Sequence, residues 1–199
     1  MPAHRKAFQK QRDRRPLQEL QLKTVTLLAN TESERETKNR LLSLLREHQE
    51  LEKWTFSEEV VIRDDGLSHS YPQLTLATNH LLKWDDKEFI SVFVHENLHC
   101  FLSQNQPQFF AAMEELRLQF PKVPVGRTEG GARDEESTYI HLIVGYWEYV
   151  AMTQIFGRDS ASHTLRSHTF YKGIYKIVLE KTDAIKNIMV KTGLTPIPD

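Results

Sequence analysis

The feature that most constrains this chain is the run His95-Glu96-Asn97-Leu98-His99, which has apolar residues on both sides. On an α-helix, residues four positions apart lie on the same face, so the His95 and His99 imidazoles can point at one place. Glu96 lies about 100° around the helix from His95, within reach of a water molecule bound there. Two histidines and a glutamate at this spacing can hold zinc and take a proton from zinc-bound water.

The flanking sequence predicts that this motif lies on a buried helix from about Asp86 to Gln104. Asp85 is suited to be its N-cap, and Glu88 three residues later completes a capping box. No glycine or proline interrupts the run before Pro107. An unpaired buried polar group costs roughly 1–3 kcal/mol. The two histidines and the glutamate therefore need partners, which a metal ion would supply.

The motif resembles that of the zincin metallopeptidases, in which a helical HExxH carries two zinc ligands and the general base. This resemblance is confined to the motif and its immediate neighbours. It implies an α+β fold: a mostly helical zincin-like domain with a small antiparallel sheet before the HExxH helix. One large zincin subgroup adds Gly three and His six residues after the second His. Leu102 and Asn105 occupy those positions here, so the third ligand must come from further along the chain.

Four residues are candidates for this third ligand. His141 is the first choice, because it interrupts a mostly apolar helix predicted over residues 134–156. Glu148 lies two turns away on that helix, about 10 Å along its axis, so both can hardly bind one ion. Glu148 can instead orient a ligand histidine. Glu129 lies in a Gly-rich loop, in a Glu-Gly-Gly-Ala run that resembles one zincin branch, and Glu136 points to a different helix face.

The resulting hypothesis is a zinc metallopeptidase in which His95, His99 and His141 bind Zn2+ and Glu96 is the catalytic general base. It would hydrolyse a peptide or protein substrate with zinc-activated water as the nucleophile. The alternative is a non-catalytic zincin-like binding protein, with or without a structural metal. The sequence leaves the cleavage preference and the oligomeric state open.

The rest of the chain predicts one domain over residues 1–199. A helix that Pro16 begins and a second helix, roughly Glu34 to Trp54, form an N-terminal helical region within residues 1–54, and residues 55–199 form the catalytic core. Alternating apolar residues predict strands over 55–63 and 74–78, with a turn at Asp64-Asp65-Gly66 between them. In zincins an edge strand beside the metal pairs with the peptide substrate. The resemblance makes residues 74–78 the candidate for that strand.

Two more helical regions are predicted after the motif, Gln108 to Phe120 and Ser167 to about Lys191. The second carries His168, Tyr171 and Tyr175 on one face. Zincins often use a downstream Tyr or His to donate a hydrogen bond to the tetrahedral oxyanion. Packing at helical spacing explains the same pattern. Both interpretations therefore stay open.

Composition narrows the class of protein. Charged residues make up 27% of the chain and the formal net charge is −1, so nothing predicts a nucleic-acid partner. The basic residues of the first fifteen positions indicate a solvated terminal arm. Cys100 is the only cysteine, which rules out an internal disulfide and a Cys-rich zinc site. No apolar run suits a signal peptide or a membrane span. We expect a soluble protein in a reducing cytoplasm.

Overall fold

The computed structural model describes residues 23–196, which form eight helices and three short strands. The strands are β1 (Thr24–Leu27), β2 (Glu59–Arg63) and β3 (Thr75–Ala77). The helices are α1 (Glu32–Glu47), α2 (Thr78–Leu81), α3 (Asp86–Gln104), α4 (Gln106–Gln119), α5 (Glu135–Phe156), α6 (Arg158–Ser167), α7 (Lys172–Glu180) and α8 (Thr182–Thr192), with 3-10 turns at Gln49–Trp54 and Arg127–Glu129. None of the described helices has both the length and the apolar character that a bilayer-spanning segment needs.

Helix α3, which carries the HExxH motif, has the bounds that the sequence predicts. The Asp85 side chain accepts a hydrogen bond from the Glu88 backbone N–H at 2.8 Å, and the Glu88 carboxylate accepts one from the Asp85 N–H at 3.3 Å. The predicted capping box is therefore present. Within the motif, the Asn97 side chain accepts from the backbone N–H groups of Phe56 and Ser57 at 2.8 and 3.1 Å. This side chain ties α3 to the segment that precedes β2.

Helix α5 lies at the centre of the fold and contacts α3, α4, α6, α7 and α8. Most of its residues are buried, as expected for a helix that is apolar on most faces. Gly145 allows α7 to approach closely, because a Cβ there would lie 3.3 Å from Cε1 of Tyr175. A glycine within a long apolar helix is the sequence signal for such an approach. The approach of α7 brings the Tyr175 hydroxyl to 2.8 Å from Glu148, three residues further along α5.

The sheet is parallel throughout, in the order β1-β2-β3, so the predicted antiparallel sheet is wrong. Helix α1 and the 3-10 turn after it join β1 to β2, and parallel neighbours need a crossover of this kind. Thr24–Leu27 falls in the helix predicted to begin at Pro16, but it forms strand β1 and pairs with β2. This part of the predicted helix is therefore wrong. The start of that predicted helix and the basic arm lie outside the described residues.

The connection between β2 and β3 explains the error in strand direction. The chain does not turn back into β3 at Asp64-Asp65-Gly66 but continues outward to His69. There, the backbone N–H and C=O of His69 pair with Thr75 at 3.0 and 2.7 Å, in antiparallel fashion. We call Leu67–Tyr71 the edge segment, because it runs along the outer edge of β3. Strand β3 therefore lies between this segment and β2, and the reversal of the chain comes after Tyr71.

The C-terminal helices also differ from the prediction. Ser167, where a helical region was predicted to begin, is the last residue of α6, and α7 begins at Lys172. Between them Tyr171 has a left-handed backbone with φ of +60°, which no continuous helix can contain. His168 and Tyr171 therefore precede α7, while Tyr175 lies on it.

Candidate metal centre

Helices α3 and α5 bring three histidines together. One ring nitrogen from each of His95, His99 and His141 lies within 4.8 Å of the other two. The ring centroids are 5.1, 5.4 and 5.1 Å apart. A tetrahedral zinc ion with bonds of about 2.0–2.1 Å holds its ligand nitrogens about 3.4 Å apart, a spacing within this 4.8 Å limit. Within residues 23–196, no other group of three such side chains comes this close.

Hydrogen bonds hold two of these rings in the tautomer that a metal ligand needs. His95 donates from Nδ1–H to Oε2 of Glu148 at 2.9 Å, and His141 donates from Nδ1–H to the Ser137 carbonyl at 2.6 Å. An ionised carboxylate and a carbonyl can only accept, so the proton must be on Nδ1 in both rings. Each neutral ring then has its lone pair on Nε2. This donor set fits a divalent ion such as zinc.

Glu148 lies behind His95 and is fully buried. Besides the His95 ring, it accepts hydrogen bonds from the Tyr175 hydroxyl at 2.8 Å and from the Ser91 hydroxyl. Ser91 has a single proton, which it donates to Glu148, so Nε2–H of His168 donates to Ser91 at 2.9 Å. We call Glu148, Ser91, His168 and Tyr175 the carboxylate network. Burial opposes the charge on Glu148, but the His168 and His95 imidazoles outweigh burial and hold the pKa of Glu148 well below its ordinary value.

Burial and the Glu148 carboxylate shift the pKa values of the three histidines and Glu96 in different directions. Burial raises the pKa of Glu96 to about 7, against the opposing effect of the neighbouring His95. It lowers the pKa of His141 to about 4 and that of His99 well below its usual value, and the His95 imidazole adds to both shifts. Burial also acts against a charge on His95, but the adjacent Glu148 outweighs it, so the His95 pKa is raised. His99 and His141 are therefore neutral at neutral pH.

The three histidines and Glu96 line one cavity of about 690 Å³, the metal cavity. The edge segment forms part of its wall and β3 does not, so the assignment of residues 74–78 as the strand beside the metal is wrong. Tyr171 also lines this cavity. Its ring centroid lies 4.2 Å from that of His141, and its ring stacks parallel to His95 at 5.9 Å.

The structure separates the other third-ligand candidates from the cluster. Glu129 lies in an exposed 3-10 turn, where its carboxylate accepts from the Val125 N–H at 2.9 Å. Glu136 is exposed in the first turn of α5. Glu148 contacts Nδ1 of His95, on the side away from the nitrogen that the ring leaves for a metal. Of the four candidates, only His141 shares the cluster.

Sequence reasoning missed Ser91 and the cavity-lining role of the edge segment. Ser91 stands four residues before His95 on α3, so the helical spacing that pairs His95 with His99 also indicates Ser91. The edge segment carries no comparable signal, because Ser68-His69-Ser70 has neither apolar alternation nor a recognised motif.

These features define a mostly helical fold with a small parallel sheet, in which three histidines meet beside a buried carboxyl group. No protein-family model matches the chain, and no curated protein or solved structure matches it either. The geometry and chemistry of the site are therefore the basis for inferring what this protein does.

Proposed function

We propose that this protein is a zinc-dependent peptide hydrolase in which His95, His99 and His141 hold the ion and Glu96 is the general base. The observation that carries the proposal is the meeting of these imidazoles beside Glu96 in one cavity. Three protein ligands leave a fourth position for water or substrate, as in catalytic zinc sites. The resemblance of the motif to that of the zincins favours a peptide bond as the substrate.

The chemistry assigned to the chain is a proton transfer by Glu96. A bound zinc ion would polarise the scissile carbonyl and lower the pKa of the attacking water. Glu96 takes the proton of that water and returns it to the leaving amine. A bound dication would lower the Glu96 pKa from its value of about 7, so Glu96 would be ionised and able to accept a proton at neutral pH.

Tyr171 is our candidate for stabilising the oxyanion. The Tyr175 hydroxyl donates to Glu148, and His168 donates to Ser91, so both belong to the carboxylate network. No partner for the Tyr171 hydroxyl is found among the described residues, and its ring packs beside the His95 and His141 rings. Tyr171 is therefore the one of the three that remains to donate to a substrate oxygen.

The edge segment is our candidate for aligning a peptide substrate. His69 uses its backbone N–H and C=O on Thr75. In an antiparallel pair, the backbone polar groups of the two neighbours, Ser68 and Ser70, point away from β3. Both neighbours line the metal cavity. An extended peptide can therefore add there as a further strand, with backbone hydrogen bonds to the segment.

We also propose a reducing compartment, the cytoplasm, as the location of the protein. Cys100 is the only cysteine, and it is a free, partly buried thiol. Burial raises the pKa of Cys100 to about 11, which makes it unreactive. A chain with no cysteine to pair with it is typical of reducing compartments.

Metal analysis combined with a peptide-cleavage assay tests the function. Purified full-length protein should contain about one zinc per chain. Glu96→Gln should keep the zinc and lower kcat by about 10²–10⁴-fold on a peptide library. The matched control Glu114→Gln, at an exposed position on α4, should change neither quantity. Undiminished turnover by Glu96→Gln would refute the general-base role, and zinc with no cleavage by wild type would indicate a binding protein.

A further inference from the structure

Two further cavities adjoin the metal cavity on different walls. The first has a volume of about 520 Å³ and shares Arg133, Phe170 and Tyr171 with it. The second has a volume of about 900 Å³ and shares Ser70, Tyr71 and His99. We call them the Arg133 cavity and the Glu59 cavity. Each therefore borders the metal cavity, and the residues that the two share with it are different. We call the three cavities together the cleft, and the Arg133 and Glu59 cavities its two ends.

The Arg133 cavity has an excess of positive charge. Among the residues that the structure describes, its lining includes Arg127, Arg133 and Lys172 but one acidic residue, Glu129. The Arg127 guanidinium lies 4.9 Å from the ring centroid of Phe170, a residue that also lines the metal cavity. Arg133 contacts the Asp134 carboxylate at 2.9 Å, but its side chain is 88% exposed. So exposed an ion pair is weak, and the guanidinium can turn toward a substrate carboxylate.

The Glu59 cavity has the opposite excess. Its described lining includes Glu58 and Glu59 and one cation, Lys23. Lys23 pairs with Glu58 at 2.9 Å. Among the described side chains, Glu59 has one hydrogen-bond partner, the neutral Gln73 amide at 3.0 Å. Within residues 23–196, the negative charge of Glu59 is therefore not paired with a cation.

We propose that the cleft selects peptides that carry acidic residues on one side of the cleaved bond and basic residues on the other. The acidic residues would lie toward the Arg133 cavity and the basic residues toward the Glu59 cavity. This inference rests on the proposed hydrolase function and adds to it the class of substrate. A peptide of the reversed charge order meets like charges at both ends of the cleft, so the preference comes from repulsion as well as attraction.

Two fluorescein-labelled peptides of identical composition test the preference. In one, acidic residues precede a neutral centre of mixed sequence and basic residues follow it; in the other the order is reversed. The full-length protein should cleave one of them with a kcat/KM about five- to tenfold higher at low salt, the size expected from a few exposed ion pairs. This ratio should fall toward one in high salt. Equal kcat/KM values at low salt would overturn the proposal.

Variants that remove charge from the cleft test whether the preference for one charge order arises there. Arg127→Gln/Arg133→Gln/Lys172→Gln and Glu58→Gln/Glu59→Gln each neutralise one end, and each should reduce the ratio between the two peptides about threefold. The matched control Lys122→Gln/Arg166→Gln/Lys176→Gln removes three exposed cations that line none of the three cavities, and it should leave the ratio unchanged. An unchanged ratio in both cleft variants would contradict the assignment.

Binding of the same peptides to full-length Glu96→Gln, followed by fluorescence anisotropy, separates this inference from the proposed function. If wild type cleaves neither peptide but the variant binds one of them several-fold more tightly, the charge preference holds and the hydrolase proposal fails. If wild type cleaves both with equal efficiency, the hydrolase proposal holds and the charge preference fails. Equal binding without cleavage would refute both.

Discussion

The two nitrogens of the His95 ring lie in opposite kinds of surroundings. On the Nδ1 side, the buried Glu148 carboxylate accepts hydrogen bonds from His95, Ser91 and Tyr175. In front of Nε2, His99 and His141 face His95 across a cavity, with pKa values that burial lowers. We call the Glu148 side of His95 the back of the site and the side that carries His99 and His141 the front. Hydrogen bonds hold the back, whereas the front lines the metal cavity. Because Glu148 fixes the orientation of the His95 ring, a metal ion would bind a ligand that is already oriented.

The three rings of the cluster are not anchored equally. A buried carboxylate holds His95, whereas a backbone carbonyl of its own helix holds His141. The carboxylate also raises the His95 pKa, while the pKa of His141 falls to about 4. Changes at the front should therefore act on metal binding directly, and changes at the back should act through His95.

Removing a ring from the front should have the largest effect. We expect His141→Ala to lose nearly all its zinc after dialysis, because two histidines remain where a site needs at least three protein ligands. Its fold should persist, since the hydrogen bond that is lost joins the ring to its own helix. Metal analysis and circular dichroism measure both properties. His163→Ala, which removes an exposed histidine on α6, is the control and should keep its zinc. Full zinc occupancy in His141→Ala would remove this residue from the ligand set.

Changing the back should weaken the metal site without abolishing it. Glu148→Gln keeps the size of the side chain but removes its charge and cannot accept all three hydrogen bonds. We expect zinc affinity to fall about ten- to a hundredfold, the usual effect of losing a partner of a ligand histidine. Competition with a chromophoric chelator measures this change, and Glu180→Gln on the exposed surface of α7 is the control. Wild-type affinity in Glu148→Gln would show that the front keeps its geometry without the back.

The sequence predicts those parts of the site that depend on a single helix. The bounds of α3, its capping box and the shared face of His95 and His99 all follow from residues within one helical segment. His141 stands out for the same reason, as a polar residue on the apolar α5. Gly145 marks a close approach, although it does not identify Tyr175 as the residue that comes near.

The parts that the sequence could not predict depend on contacts between distant segments. Strand β1 is four residues long, and its Val and Leu also fit a helical stripe, so only its pairing with β2 distinguishes the two structures. The position of the edge segment depends on β3 lying between this segment and β2. No local sequence pattern predicts that order. Tyr171 leaves the helical face predicted for it because its backbone is left-handed.

The pH dependence of zinc affinity compares front and back in one measurement. Zinc binds neutral imidazoles, so a ring weakens binding only below its own pKa. The Glu148 carboxylate raises the pKa of His95, so this ring is the first of the three to take up a proton as the pH falls, whereas His141 has a pKa of about 4 and burial holds the pKa of His99 well below its usual value. As pH falls from 7 toward 5, affinity should therefore decrease about tenfold per unit, the slope for one proton. Glu96→Gln is the protein to use, because Glu96, with a pKa of about 7, would otherwise release a second proton when zinc binds. Chelator competition at successive pH values gives the slope. A thousandfold loss of affinity per pH unit would mean that all three rings take up protons together, and that Glu148 does not raise the His95 pKa above those of His99 and His141.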